Sequence, residues 1–247
     1  MPPSRRSRAS SESIAIHGAA ARKAAAEKVF VTTYRKDLLV LPREVSCTIT
    51  LRDFFKLDAI ARFVDPVVGI YSLGAVPPNA TWGSGWRERL LCVENTEAAI
   101  WVIGCLEHVS YDIRARRPPS LSVKVHLLRE CDRIRHASLN RRTSPKSRDH
   151  ADTLDTFVAT ANIPDSQSVF RHLYDGSAGL DFQFNMGQLG INEIVPGDIV
   201  LLECSFVRTS PDAWATWSVD FELRLLTVVH RTARTLCGTK SRYRGGL

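Results

Sequence analysis

The sequence lacks the short motifs by which common catalytic sites are recognised. It contains no GxSxG nucleophile elbow, no HExxH zinc motif, no GxxxxGK[ST] phosphate loop and no GxGxxG dinucleotide loop. No general acid, general base or nucleophile stands out among the other polar residues. The sequence therefore favours a protein that is not an enzyme, and it predicts no cofactor.

Residue groups that could hold a metal or form a disulfide framework are also missing. None of the six cysteines falls in a CxxC pair, and the seven histidines have no metal-ligand spacing. A chain of 247 residues can bury a core without disulfides. We therefore predict no metal site, and we expect Cys47 and Cys204 to be buried thiols on predicted strands in a reducing compartment.

Long apolar runs are absent as well. No run approaches the ~20 residues that a transmembrane helix needs, and the first residues, rich in Pro, Ser and Arg, show no apolar signal region. We expect an intracellular protein, nuclear or cytoplasmic, with no membrane partner.

Positive charge is abundant, and it is unevenly distributed. The net charge is +7, yet residues 1–28 alone carry +4, residues 133–148 carry +6 and residues 231–247 carry +5, so the remainder is acidic at −8. We predict a disordered basic arm at 1–28, a β-rich globular domain at 29–230 and a basic flexible tail at 231–247. The basic stretch 133–150 is predicted to be a loop or a linker that could mark a sub-boundary.

The clearest structural pattern is a hairpin near the end of the globular region. From residue 217 to residue 225 every odd residue is apolar and every even residue is polar, as on a strand with one buried face. A second apolar run, 199–208, precedes it across a polar loop at 209–216. Similar alternation predicts strands at 45–51, 121–127 and 180–184.

Helix signals are fewer. Apolar spacing predicts a helix after residue 53, with Thr50 as its cap and Asp53 in its first turn. Residues 96–108 fit either a helix or a buried strand, and we favour the helix. A short helix is also predicted from residue 165 to residue 174.

With about eight strands against two or three helices, the predicted fold class is mainly β (α+β). An antiparallel β-sandwich or a partly closed barrel, with disordered basic termini, fits best.

The most unusual short stretch is the loop at 82–87, with the sequence WGSGWR. Trp82 and Trp86 offer flat aromatic faces and Arg87 a cation, the combination by which single-stranded nucleic acid is often held without sequence preference. The alternative is that both tryptophans pack onto the core.

Basic residues elsewhere could supply contacts to phosphate groups. Six lie in the 133–148 stretch and three in the N-terminal arm: Arg133, Arg135, Arg141, Arg142, Lys146, Arg148, Arg5, Arg6 and Arg8. A composite basic and aromatic surface requires that the 82–87 loop, the 133–148 stretch and the 209–216 loop lie on one face.

The turn and strand Pro196-Gly197-Asp198-Ile199-Val200, followed by the long hairpin, resemble part of an OB-fold. This resemblance implies a nucleic-acid-associated β-barrel that uses strands and loops to bind single-stranded DNA or RNA.

Two other functions remain open. A basic arm of Arg and Ser before a β-sandwich resembles the coat proteins of small viruses, which implies a homo-oligomeric shell whose arms neutralise a packaged genome. A non-catalytic protein-interaction domain with solvated basic tails is the third hypothesis.

Overall fold

The computed structural model describes residues 37–46, 49–112, 119–142, 156–163, 169–181, 183–210 and 216–232. The predicted basic arm at 1–28, Cys47 and most of the predicted tail lie outside these ranges. The first two tail residues are held on the globular part: Arg231 Nη2 lies 2.8 Å from Asp175 Oδ2, and the Thr232 N–H donates to Asp198 Oδ1 at 3.0 Å.

Three α-helices and twelve strands occur in the described residues. The helices are α1 (Arg43–Ser46), α2 (Leu51–Ala61) and α3 (Glu130–Asn140). The strands are β1 (Val64–Asp65), β2 (Ile70–Ser72), β3 (Thr81–Trp82), β4 (Leu91–Val93), β5 (Thr96–Glu97), β6 (Ala99–Asp112), β7 (Ser120–Leu127), β8 (Thr156–Asn162), β9 (Leu173–Asp175), β10 (Gly187–Gln188), β11 (Ile199–Thr209) and β12 (Ser218–His230).

Five strands pair in a closed ring. The antiparallel pairs are β6 with β7, β7 with β8, β11 with β12 and β11 with β6, and β8 closes the ring through a parallel contact with β12. The short strands β1, β2, β9 and β10 extend this sheet, and β3, β4 and β5 form a separate small one. The predicted fold class, mainly β with a partly closed barrel, is confirmed.

The ring encloses the main hydrophobic core. Alternate residues of every barrel strand point inward, because side chains on a strand alternate between its two faces. The buried inward set is Ile100, Val102, Leu106, Leu121, Val123, Val125, Leu127, Phe157, Ala159, Ala161, Val200, Leu202, Cys204, Phe206, Phe221, Leu223, Leu226 and Val228. The predicted burial of Cys204 is confirmed, and this burial raises the pKa of its thiol.

A second core layer covers part of the outer wall of the barrel. Leu57 and Ile60 of α2 pack with Val45 of α1 against the outward residues Ile103 and Leu201 of β6 and β11. The outer faces of β7, β8 and the first half of β12 carry mostly polar, accessible side chains. The barrel therefore has one wall covered by helices and one wall facing solvent.

The predicted helix at 96–108 is wrong, because most of this stretch is β6. Its inward residues face the barrel core while Ile103 and Cys105 face the α2 layer. A strand buried on both faces shows a continuous apolar run instead of alternation. Periodicity alone therefore could not separate this strand from a helix.

The predicted strand at 45–51 is also wrong. Residues 43–46 form α1 directly after Pro42, whose carbonyl accepts the Ser46 N–H at 2.9 Å. Proline is well suited to the start of a helix because its φ is already close to the helical value. The alternation in this short run does not correspond to a sheet face, since Leu51 already opens α2.

Two further predicted elements differ from the structure. Where a helix is predicted to end at residue 174, Leu173–Asp175 is strand β9, which runs parallel to β12. Where a strand is predicted at 180–184, Gln183–Asn185 forms one 3₁₀ turn that leaves Phe184 exposed. Pairing with β12, which is distant in sequence, decides the conformation of Leu173–Asp175.

The first part of the predicted basic loop is helical. Residues 133–140 belong to α3, which follows β7 after two residues, whereas residues 143–150 lie outside the described ranges. Asp132, His136 and Leu139 are its buried residues. A helix that buries polar side chains lacks the apolar periodicity on which sequence prediction depends.

The predicted cap of α2 is confirmed. The Asp53 N–H donates to Thr50 Oγ1 at 3.1 Å, and the Thr50 hydroxyl lies 2.7 Å from Asp53 Oδ2. We expect Thr50→Ala to lower the free energy of unfolding by about 1 kcal/mol, because it leaves a first-turn N–H of α2 without its acceptor. Urea unfolding measures the change. Thr50→Ser keeps the hydroxyl and should stay near wild type; equal losses for both variants would show that the cap is not the cause.

Candidate nucleic-acid interface

Two of the segments singled out in the sequence meet at one end of the barrel, beside the start of β12. The indole Nε1 of Trp217, just before β12, donates to the backbone carbonyl of Arg142 at 2.6 Å. The guanidinium of Arg142 donates in turn to the carbonyl of Ala80, just before β3, at 2.9 Å. Residues just after α3 thus connect the start of β12 with the start of the small sheet.

The small sheet is also attached to the end of β11. The N–H of Arg208 donates to the carbonyl of Arg89 at 2.8 Å, and its side-chain Nε donates to the carbonyl of Glu88 at 2.9 Å. Leu90 forms an isolated antiparallel bridge with Val207. The 82–87 loop, the end of α3 and the two ends of the β11–β12 loop therefore converge, and we call this region the convergent end.

Local contacts hold the 82–87 loop in one shape. Gly85 adopts φ +60°, a left-handed conformation that glycine accepts without a steric penalty. The N–H and the hydroxyl of Ser84 donate to Asn95 Oδ1 at 3.3 and 3.2 Å, and Arg87 Nη1 donates to the Asn95 carbonyl at 2.8 Å. The loop is fastened to the β4–β5 turn, so its side chains are preorganised.

This loop presents one aromatic ring to solvent. Trp86 is 77% exposed, and the guanidinium carbon of Arg87 lies 4.3 Å from the centre of its ring. An arginine at this distance over an indole is a cation–π contact. The pair offers a flat, accessible stacking surface beside a positive charge.

The other tryptophan of the loop packs differently. The ring of Trp82 stacks on the buried ring of Phe206, with 5.6 Å between centroids and an interplanar angle of 12°. The guanidinium of Arg208 lies 5.0 Å from its ring centre on this half-buried side chain. Trp82 therefore belongs mainly to the core packing, while Trp86 is the accessible ring.

The four described arginines of the basic stretch lie on α3 or just after it. Arg133 donates to the Leu127 carbonyl at 2.8 Å and pairs with Glu130 at 3.3 Å, so it braces the start of the helix. Arg141 is exposed and Arg135 is half-buried. Burial lowers the pKa of Arg142, and the nearby charge of Arg135 acts in the same direction.

This placement allows a structural role as well as a binding role. Positive side chains at the C-terminal end of a helix interact favourably with its dipole. The remaining predicted contact residues, Lys146, Arg148, Arg5, Arg6 and Arg8, lie outside the described ranges.

Sequence reasoning missed a groove on the solvent-facing wall. A cavity of about 350 Å³ lies where α3 meets β7, β8 and β12. We call it the seam groove; it is lined by Lys124, His136, Asn140, Thr156, Val158, Thr160, Val219, Asp220 and Phe221. No motif marks these residues, because they come from four separate elements.

Neither a metal-binding cluster nor a membrane-spanning helix occurs in the described part of the chain. It contains no group of three or more His, Cys, Asp or Glu side chains placed to hold a metal ion. Across the same residues, no helix has the length and apolar character to span a bilayer.

No protein-family model matches the chain, and the search of curated proteins found no match. Among solved structures, the chain is similar to gp2.5, a single-stranded DNA binding protein encoded by bacteriophage T7. That similarity has 12% sequence identity and a TM-score of 0.33, and it covers 61% of this chain and 99% of that one.

Proposed function

We propose that this protein binds single-stranded nucleic acid at the convergent end of its barrel. The observation that carries the proposal is the meeting of the exposed Trp86–Arg87 pair with the basic end of α3 beside the β11–β12 loop. Stacking surfaces combined with cations are how proteins hold single strands, because every base has a face and every nucleotide a phosphate.

The order of the barrel strands supports this proposal. The ring runs β6, β7, β8, β12, β11 and back to β6, so the first strand pairs with the second and the fourth, and the third runs parallel to the fifth. This is the strand order of an OB-fold, in which the second and third strands and two loops bind oligonucleotides. The loops at the corresponding places here are 113–119 and 210–217.

The sequence of the first of these loops has the expected charge. Arg114, Arg116 and Arg117 fall between β6 and β7, and no acidic residue accompanies them in 113–119. The sequence of this loop therefore has a composition suited to binding a polyanion.

We expect a fluorescein-labelled single-stranded 20-mer, of DNA or RNA, to bind with an affinity that falls as salt rises. The logarithm of the binding constant should decrease with the logarithm of salt by ~0.7 per phosphate neutralised. Trp86→Ala should weaken binding about tenfold by removing a stacking surface. Fluorescence anisotropy measures both effects.

Phe55→Ala provides the matched control, since Phe55 is also an exposed aromatic residue, at 61%, but lies on α2 outside the convergent end. This variant should bind like wild type. An absence of binding at low salt, or equal affinities for wild type and Trp86→Ala, would contradict the proposal.

The other hypotheses stay predictions. Exposed apolar side chains on α2, Leu51 and Phe55, are the observation that favours a protein-interaction domain. The coat-like shell, the homo-oligomeric state and the intracellular location are likewise untested predictions. The nucleic-acid function is preferred because several separate segments build its surface.

A further inference from the structure

The barrel is closed weakly at one seam. In the described residues, β8 and β12 share a single parallel pair, Glu222 with Thr160, whereas the other barrel contacts extend over many pairs. A cavity lies on each side of this pair. The seam groove is on one side, and a second cavity of about 330 Å³, lined in part by Asn162, His172 and Arg224, is on the other.

Two residues of the seam groove adjoin the convergent end along the chain. Asn140 directly precedes Arg141, and Val219 lies two positions after Trp217. The bond from Trp217 to the Arg142 carbonyl joins these two sides. A strand bound at the convergent end would therefore meet residues that adjoin this groove, and the cavity of about 350 Å³ is large enough for a nucleobase.

Polar side chains suited to a base line the groove, and its one lysine, Lys124, is paired with Glu107 Oε1 at 2.6 Å. Asp220 lines the groove with a carboxylate, which repels phosphate but can accept several hydrogen bonds. The hydroxyls of Thr156 and Thr160 supply further polar groups and Val158 an apolar one, while the Asn140 amide is engaged with His136 Nε2 at 3.1 Å. Aspartate accepts hydrogen bonds from the exocyclic amino group of cytosine, a donor that thymine lacks.

We propose that the seam groove is a base-reading subsite that favours cytosine over thymine, with Asp220 accepting from the exocyclic amino group. This proposal rests on the proposed function, because the groove is reached by a strand bound at the convergent end. It adds selectivity to a surface that otherwise holds any sequence.

The test compares labelled dC12 and dT12, which are both pyrimidine strands with the same number of phosphates. Wild type should bind dC12 about fivefold more tightly than dT12, because one additional hydrogen bond changes the affinity by about this factor. Asp220→Asn should reduce this ratio to about one, because the asparagine amide is a weaker acceptor for cytosine and can also donate to the O4 carbonyl of thymine. The salt slopes and the effect of Trp86→Ala should be the same for both strands.

A matched pair of bulky substitutions tests the location. Val158 is 45% exposed and Asn162 is exposed, and both lie on the outer face of β8, four residues apart, one at each cavity. Val158→Trp fills the seam groove and should abolish the preference for dC12. Asn162→Trp fills the second cavity and should retain it. Unfolding midpoints establish that all variants are folded.

The outcomes separate the two proposals. If wild type binds neither strand, the proposed function fails and the subsite fails with it. If wild type binds both strands equally, if Asp220→Asn keeps the preference, or if the two tryptophan variants behave alike, the subsite is overturned while the nucleic-acid function stands.

Discussion

Asp132→Ala should lower the free energy of unfolding by about 3–5 kcal/mol, the cost of breaking a buried ion pair from one side. Asp132 is 1% exposed and Arg129 is 3% exposed. Two hydrogen bonds join them, from Arg129 Nε to Oδ2 at 2.8 Å and from Arg129 Nη2 to Oδ1 at 2.7 Å. Without the carboxylate, a guanidinium stays buried with no opposite charge in this contact.

The same carboxylate also fastens α3 to the barrel. The Gly74 N–H, in the 3₁₀ turn Leu73–Ala75, donates to Asp132 Oδ1 at 2.8 Å. Because Asp132 lies in the first turn of α3, its loss frees the start of the helix whose other end carries Arg141 and Arg142. We therefore expect weaker oligonucleotide binding to accompany the lost stability.

Urea unfolding measures this prediction against two controls. Asp58→Ala breaks the half-exposed pair between Asp58 and Arg62 and should cost no more than about 1 kcal/mol. The double variant Arg129→Met/Asp132→Leu removes both charges and should recover most of the lost stability. A loss below about 1 kcal/mol for Asp132→Ala alone would contradict the proposed role of the pair.

Gly104→Ala should cost about 3 kcal/mol, the upper part of the usual range for overpacking a core. Gly104 lies on β6 opposite both Leu127 of β7 and Val200 of β11, so it sits where one strand pairs on both sides to close the ring. A Cβ built at this position would lie 2.7 Å from Val125 Cγ2 and 2.9 Å from the His126 carbonyl oxygen.

The clash between the new Cβ and the His126 carbonyl oxygen cannot be relieved by a small local movement. A flexible side chain could move away, but a backbone atom of β7 can shift only if the β6–β7 pairing shifts with it. Gly179→Ala is the matched control, since nothing lies within 4 Å of a Cβ built there and its φ is not positive. Thermal or urea unfolding should show a loss of less than about 0.5 kcal/mol for that variant; similar losses at both positions would contradict the explanation.

The elements that could be predicted from the sequence are those with one face buried in the core and the other exposed to solvent. The strands β7 and β12 show their alternation because one side of each faces the core and the other faces solvent over much of its length. The cap at Thr50 could be predicted because it depends on residues three positions apart. Each of these signals is local.

The elements that could not be predicted depend on contacts between distant parts of the chain. The strand β6 loses its alternation because α2 covers its outer face, and α3 forms although its buried residues include Asp132 and His136. No local sequence pattern predicts that Asp132 is buried, because its partners are Arg129 and the backbone N–H of Gly74, which is distant in sequence.

The features of the candidate site likewise fall into those that follow from local sequence and those that depend on distant contacts. The sequence by itself determined the composition of the 82–87 loop and the density of positive charge, since both follow from residue type alone. Only the tertiary structure decided which tryptophan is accessible, because Trp82 stacks on Phe206, a residue more than a hundred positions away. It also decided that the loop and the end of α3 meet, because Arg142 contacts Ala80 and Trp217 at once.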